Sequence, residues 1–195
     1  MNRKAVIEFF DKMAPGWDSH MVRNERAISR ILDNARIREG VTVLDVACGT
    51  GVLIPDYLKR GVVKVTGIDI SPAMARIARK KFADDDRVRI ICGDVMEYRP
   101  DDKFDCIMVY NALPHFRSPE ELIKVLSGML RKGGTLSIAH GMSFEGVNRH
   151  HENVSPEVTN PLTAAERLGE IMSGYLEVTA VISDDEMYQV AGIKK

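Results

Sequence analysis

Three aspartates, a glycine turn and four histidines hold most of the chemistry that this 195-residue chain offers. Asp45, Asp69 and Asp94 stand at or just past the ends of three short apolar runs, Val41–Val46, Val62–Ile70 and Val88–Cys92. After the first run the chain turns through Ala47-Cys48-Gly49-Thr50-Gly51. Glycines at 49 and 51 allow a sharp turn and let the backbone approach a ligand with no Cβ in the way. Val52, Leu53, Tyr57 and Leu58 suit a helix that starts at once, and the unpaired N–H groups of a helix N-terminus favour negative or polar ligand atoms. The stretch reads as a nucleotide-type cofactor loop; the alternative is a tight strand-to-helix turn with no ligand. Three residues after Gly51 stands Ile54 and not a third glycine, which counts against a nicotinamide or flavin site. Asp69 would accept hydrogen bonds from both hydroxyls of a ribose, the alternative being a cap on the next helix, a role Ser71 already suits. Asp94 would accept a hydrogen bond from an adenine amino group, or is a turn residue after Gly93.

The elements that position these groups follow from the spacing of apolar residues. The three runs are β-branched and read as buried strands, and Phe104–Tyr110 is a fourth. Ser71-Pro72 opens a helix carried by Met74, Ile77, Ala78 and Phe82. Ser118-Pro119-Glu120-Glu121 is a capping box for another, with Leu122, Ile123, Leu126, Met129 and Leu130 on its buried face. Residues 23–37 form a packing helix, and Ala164–Ser173 a last one, ended by Gly174. Residues 5–20 read as a short helix, a break at Pro15-Gly16 and an exposed aromatic segment. Phe9, Phe10 and Trp17 there either cover an edge of the core or form a lid over a ligand. Ser143 would cap a short helix to His151, with Asn148 and His151 on one face and Glu145 alongside. Residues 152–163 look irregular, with Pro156 and Pro161.

Composition narrows the classes. Net charge is −1, from 27 basic and 28 acidic residues, so there is no general electrostatic grip on nucleic acid. No apolar run approaches the ~20 residues of a membrane helix, and the N-terminus lacks a signal-peptide core. Three cysteines, Cys48, Cys92 and Cys106, have no metal-type spacing and suit a reduced, cytoplasmic setting. The length fits one α/β domain over 1–195, with an N-terminal lid over 1–22 and a cap over 141–163. A homodimer stays open, because its surfaces leave no mark in one sequence.

Taken together, VLDVACGTG, VTGIDISPAM and IICGDV resemble the class I S-adenosylmethionine-dependent methyltransferases. Phe104–Tyr110 resembles the family's fourth strand, and Asn111-Ala112-Leu113-Pro114-His115-Phe116 its active-site edge. Arg131-Lys132-Gly133-Gly134, then Thr135–Ala139, resembles its turn into strand five, and Tyr175–Ile182 with Glu186–Ile193 its closing antiparallel pair. Phe10-Asp11 and Trp17-Asp18 loosely resemble the N-terminal lid of the menaquinone and ubiquinone methyltransferase branch. The resemblance implies a Rossmann-like, seven-stranded, mostly parallel sheet with helices on both faces and an antiparallel last strand. It implies S-adenosyl-L-methionine as cofactor and S-adenosyl-L-homocysteine as product. The glycine loop would hold the methionine part, Asp69 the ribose and Asp94 with Val95 the adenine, and the cofactor-binding set as a whole is Asp45, Ala47, Gly49, Thr50, Gly51, Asp69, Ile70, Met74, Gly93, Asp94, Val95 and Asn111.

Methyl transfer from a sulfonium is a displacement that needs alignment, desolvation and, for a hydroxyl, thiol or ammonium acceptor, a base near neutral pKa. Histidine suits that role. His115 at the mouth of strand four and His140 at the end of strand five are the catalytic candidates, and Phe10, Trp17, His150 and His151 the lid and substrate candidates. A metal site from His140, His150 or His151 with His115 or Glu145 is a second reading. A purely structural role for the histidines is a third. The Asn-Pro-Pro-aromatic signature of nucleic-acid amino methylation is absent, so the expected acceptor is a small molecule. A cofactor-binding sensor without turnover is the non-enzyme alternative.

Overall fold

The computed structural model describes all residues, 1–195. The chain opens with α1 (Arg3–Met13), a 3-10 turn over Ala14–Gly16, α2 (Trp17–His20) and α3 (Glu25–Asn34). Then come β1 (Thr42–Val46), α4 (Ile54–Lys59), β2 (Lys64–Asp69), α5 (Pro72–Lys81), β3 (Val88–Cys92) and β4 (Phe104–Tyr110). A 3-10 turn over Leu113–His115 leads to α6 (Pro119–Met129), β5 (Leu130–His140), α7 (Phe144–His151), α8 (Ala165–Ser173), β6 (Glu177–Ser183) and β7 (Tyr188–Ile193).

The strands form one sheet in the order β3-β2-β1-β4-β5-β7-β6. Pairings from β3 to β5 are parallel, and β7 lies antiparallel between β5 and β6. Alternate side chains of β1 enter two cores. Leu44 and Val46 pack with Leu122, Ile123 and Leu126 of α6 and Leu168 of α8. Val43 packs with Ile28 and Ile31 of α3 and Ile54 and Tyr57 of α4. Helices therefore cover both faces, and a strand buried on both sides reads as a nearly continuous apolar run. The chain order reverses between β1 and β4, and a crevice opens at the carboxyl ends of these strands. No helix is long and apolar enough to cross a membrane.

Several boundaries differ from the sequence reading. The helix after the glycine turn does not start at once: residues 51–53 are turns and α4 begins at Ile54. The break at Pro15-Gly16 is present, but Trp17 is half-buried and begins a helical turn, where an exposed segment is expected. β5 begins at Leu130, so the glycine pair 133–134 lies inside a strand whose register with β4 shifts between Phe104 and Cys106. Ser143 does cap α7, accepting from the Gly146 N–H. Asn148 stands three residues before His151 in α7, and its Oδ1 accepts from Leu162 N–H at 2.8 Å, which ties α7 to the irregular segment.

Candidate active site

At the strand ends lies a cavity of about 650 Å³. Its floor on one side is Asp45, Ala47, Cys48 and Gly49, then Asp69, Ile70 and Met74, then Gly93, Asp94 and Val95. Tyr110, Asn111, His115 and His140 continue the wall, and Phe10, Trp17, His150 and His151 close over it. All the cofactor and histidine candidates of the sequence meet here except Thr50 and Gly51, which do not line it. Gly51 has a packing reason instead. It has φ +83°, and a Cβ there would come within 2.5 Å of the Phe82 ring. The buried Thr50 donates its hydroxyl to Asp18 of the N-terminal segment at 2.6 Å.

The turn after β1 is held in an uncommon backbone. Ala47 has φ +53° and Gly49 φ +55°, and across the crevice Asn111 has φ +54°. The left-handed region costs a residue with a Cβ about 1–2 kcal/mol, and such strain tends to persist at functional sites. Asn111 is fixed from both sides: its N–H donates to Ala139 O, and its Oδ1 accepts from Gly141 N–H at 3.0 Å.

Two buried carboxyls face the cavity without a cation. Burial, with the Asp69 charge adding to it, pushes Asp45 up to about 8. Beside it lies the buried Tyr57 hydroxyl, which falls short of full hydrogen-bond geometry yet pulls the Asp45 value back toward the ordinary range. Asp69 is pushed up to about 6 by burial, against the pull of two backbone N–H bonds. Those bonds come from Gly49 at 2.7 Å and Ser71 at 2.8 Å, one to each oxygen. A carboxylate has about four lone-pair sites, so two remain. Asp94 accepts from Met96 N–H at 2.9 Å and has Arg3 3.6 Å away.

On the other side the polar groups are imidazoles. His115 Nδ1 lies 3.0 Å from Val158 O. A carbonyl can only accept, so that nitrogen carries the hydrogen and Nε2 carries the lone pair. Burial pushes His115 down to about 4 and the fully buried His140 to about 3. His140 Nε2 and His151 Nδ1 are buried without partners. The rings stack edge to face in a chain, Trp17–Phe10–His115–His151–His150, at centroid separations of 4.9 to 5.9 Å. That chain crosses from the N-terminal segment to α7. No group of three or more His, Cys, Asp or Glu side chains converges to hold a metal ion, so the donor set of the metal reading does not assemble.

The sequence leaves open whether the aromatics of residues 5–20 cover an edge of the core or form a lid over a ligand. Phe10 and Trp17 line the cavity, while the acids that follow them pin the segment down. Asp11 accepts from the Ser71 hydroxyl and from Ala73 N–H at 2.9 Å, at the start of α5. Asp18 accepts from Thr50 and pairs with Lys81 at 2.7 Å. Sequence reasoning gives Asp11, Asp18, Lys81 and Tyr57 no such role. The aromatic–aspartate doublets at 10–11 and 17–18 are the signal for the first two.

Residues 43–134 match the methyltransferase-domain family. The chain is 34% identical over 160 residues to a ubiquinone biosynthesis O-methyltransferase of Coxiella burnetii, covering 77% of this chain and 64% of that one. It is 30% identical over 178 residues to the 27-O-demethylrifamycin SV methyltransferase of Amycolatopsis mediterranei, covering 87% and 60%. The chain spans between 50% and 64% of the length of such curated relatives. The N-methyltransferase NodS of Bradyrhizobium japonicum, solved with S-adenosyl-L-homocysteine, superposes with a TM-score of 0.75 over 97% of this chain and 98% of that one. At 14% identity that likeness is one of fold. With this sheet order, this turn and these relatives, the chain belongs to the class I S-adenosylmethionine-dependent methyltransferases.

Proposed function

We propose that the chain transfers a methyl group from S-adenosyl-L-methionine to a small-molecule acceptor held between the N-terminal segment and the 141–163 cap. The cavity carries this reading: a single space of about 650 Å³ runs from three carboxylates to a wall of imidazoles. Bound at the carboxylate end, the cofactor supplies a methyl group on a sulfonium sulfur and is left as S-adenosyl-L-homocysteine. The residues present suit it. Asp45 is a buried acid with no counter-charge, matched to an amino-acid ammonium. Ala47 and Gly49 bring backbone close, and Asp69 retains two acceptor sites for ribose hydroxyls. Ile70 and Met74 flank the ribose, and Gly93, Asp94 and Val95 take the adenine end.

The chain's own contribution is alignment and exclusion of water. Phe10 and Trp17 close over the mouth, and His115 or His140 receives the acceptor's proton. The two curated relatives above are named as O-methyltransferases of, or methyltransferases acting in, small-molecule biosynthesis, which supports an acceptor of that kind. Three free thiols suit a reducing, cytoplasmic setting. The test is calorimetry with S-adenosyl-L-methionine and S-adenosyl-L-homocysteine, followed by an acceptor screen of phenols, quinols, thiols and amines. Absence of binding to both refutes the reading. Binding with no transfer to any acceptor refutes the catalytic part and leaves a sensor.

A further inference from the structure

We infer that the acceptor is an uncharged molecule with an apolar frame, bearing a hydroxyl that hydrogen-bonds to both His115 and His140. The inference rests on the methyltransferase reading and specifies its acceptor. Its first support is an orphan. His140 is only 2% exposed, lines the cavity, and has an Nε2 with no partner. A buried nitrogen left unpaired costs about 1–3 kcal/mol, so a ligand that supplies the missing bond gains by it. The second support is the fixed tautomer of His115, which leaves a lone pair on Nε2. A hydroxyl is both donor and acceptor. It can donate to His115 Nε2 while accepting from a protonated Nε2 on His140, whose tautomer no contact dictates.

The third support is charge. The cavity's carboxylates, Asp45, Asp69 and Asp94, all lie on the cofactor side, so an acceptor ammonium would be buried without a counter-charge. The groups facing the two imidazoles are Phe10 and His151 around His115, and Tyr188, His115 and His151 around His140. None is a cation able to hold a carboxylate or phosphate, since burial keeps these rings neutral. Arg117 lies at the exposed rim. A charged acceptor would lose its hydration without replacement. The remaining walls are apolar, Phe116, Val147 and Val154 among them, with Met13 and Met142 each 45% exposed at the mouth.

In the transfer, a hydroxyl-oxygen lone pair forms the new O–C bond while the C–S pair stays on sulfur. The hydroxyl proton passes to His115 Nε2 and from there to water. So weak a base does not ionise a phenol beforehand; the proton leaves late, as the oxygen acquires positive charge.

Three probes with one frame test this: 4-butylphenol, 4-butylbenzoate and 4-butylbenzylamine. Each is titrated into the protein loaded with S-adenosyl-L-homocysteine, with Trp17, the sole tryptophan, as fluorescent reporter, and each is assayed for methylation with S-adenosyl-L-methionine. The phenol is expected to bind at least about tenfold more tightly than the other two and to be the only one methylated. His140→Phe is expected to weaken phenol binding about tenfold without touching the other probes, and to hold or raise the melting temperature because the orphan nitrogen is gone. His115→Asn gives a second, less disruptive reading of the same loss. Equal or tighter binding of benzoate or benzylamine, no phenol binding, or discrimination indifferent to both variants overturns the inference alone. Failure to bind S-adenosyl-L-homocysteine overturns the methyltransferase reading as well.

Discussion

Replacing Asp45 with asparagine isolates the buried charge on which cofactor binding is proposed to depend. Burial holds the Asp45 carboxyl at about 8, against an ordinary carboxylate value of 3.8. At pH 7 roughly nine in ten molecules therefore carry a proton there. An amino-acid ammonium seated beside it requires the carboxylate, so binding of S-adenosyl-L-homocysteine should release about 0.9 proton at pH 7. Affinity should rise about tenfold between pH 6 and 7 and flatten near pH 8, where the ligand's own amine begins to lose charge. Asp69, at about 6, adds to the slope only below pH 6. Calorimetry in phosphate and in Tris at one pH separates the proton release from the binding heat. The Asp45→Asn variant has no proton to release at this position and forfeits a charged hydrogen bond, so its affinity should fall by about 1.5–3 kcal/mol. Stability should move the other way. A folded-state pKa above the unfolded one means that the parent loses stability as pH rises from about 4 to 8, with a ceiling of roughly 6 kcal/mol. The ligand-free variant should thus match the parent near pH 3, below both values, and exceed it by a widening margin up to pH 9. Zero proton release from the parent at pH 7, or the same release from the variant, would refute the reasoning.

Other consequences are smaller or more local. Ala47→Gly relieves a left-handed residue and should raise the melting temperature by the equivalent of up to about 1 kcal/mol, partly offset by the freer unfolded chain; a drop in stability would deny the strain. Asp18→Ala removes the Thr50 and Lys81 contacts, which are partly solvent-exposed and together worth about 1 kcal/mol. Hydrogen exchange should then speed up across residues 1–22 and in the glycine turn, and unchanged rates would show that the pin does nothing. His140 sits at about 3 when folded and near 6.5 when unfolded, so the unfolded state alone takes up a proton between those values and stability falls as pH drops below 6.5. His140→Phe should gain about 2 kcal/mol more at pH 5 than at pH 8, read from urea melts at both.

The sheet was legible because parallel strands buried on both faces must be apolar throughout, and Val43–Val46, Val65–Ile68 and Ile107–Val109 nearly are. Asp45, Asp69 and Asp94 stood out because an acid in or ending such a run has no packing purpose. The limits of this reading are physical too. Thr50 and Gly51 look like ligand contacts in a glycine turn, yet one reaches the N-terminal segment and the other makes room for Phe82, far along the chain. Nothing local records such a neighbour. The His115 tautomer depends on the Val158 carbonyl, 43 residues away in a segment without periodicity. The reach of Asp11 to Ser71 spans 60 residues. Pairings at that separation are set by topology, which residue spacing constrains only weakly.

Asp69 sits where these long reaches converge. One oxygen accepts from Gly49 N–H and the other from Ser71 N–H. Next to Gly49, Thr50 donates to Asp18; Ser71 itself donates to Asp11. The two anchors of the N-terminal segment thus lie at, or one residue from, the two donors of the acid proposed to hold the ribose. A ligand that drew Asp69 toward itself would pull on both donors and so on both anchors. Conversely, a lifted segment would free Thr50 and Ser71 and slacken the frame around Asp69. Closing the cavity and ordering the cofactor loop therefore draw on adjoining hydrogen bonds of the same short backbone stretches. By linkage, a variant that loosens the segment should weaken cofactor binding by as much as the cofactor fails to re-fasten it. Asp18→Ala measured with and without S-adenosyl-L-homocysteine closes that cycle, and a ligand affinity unchanged while the segment loosens would uncouple the two.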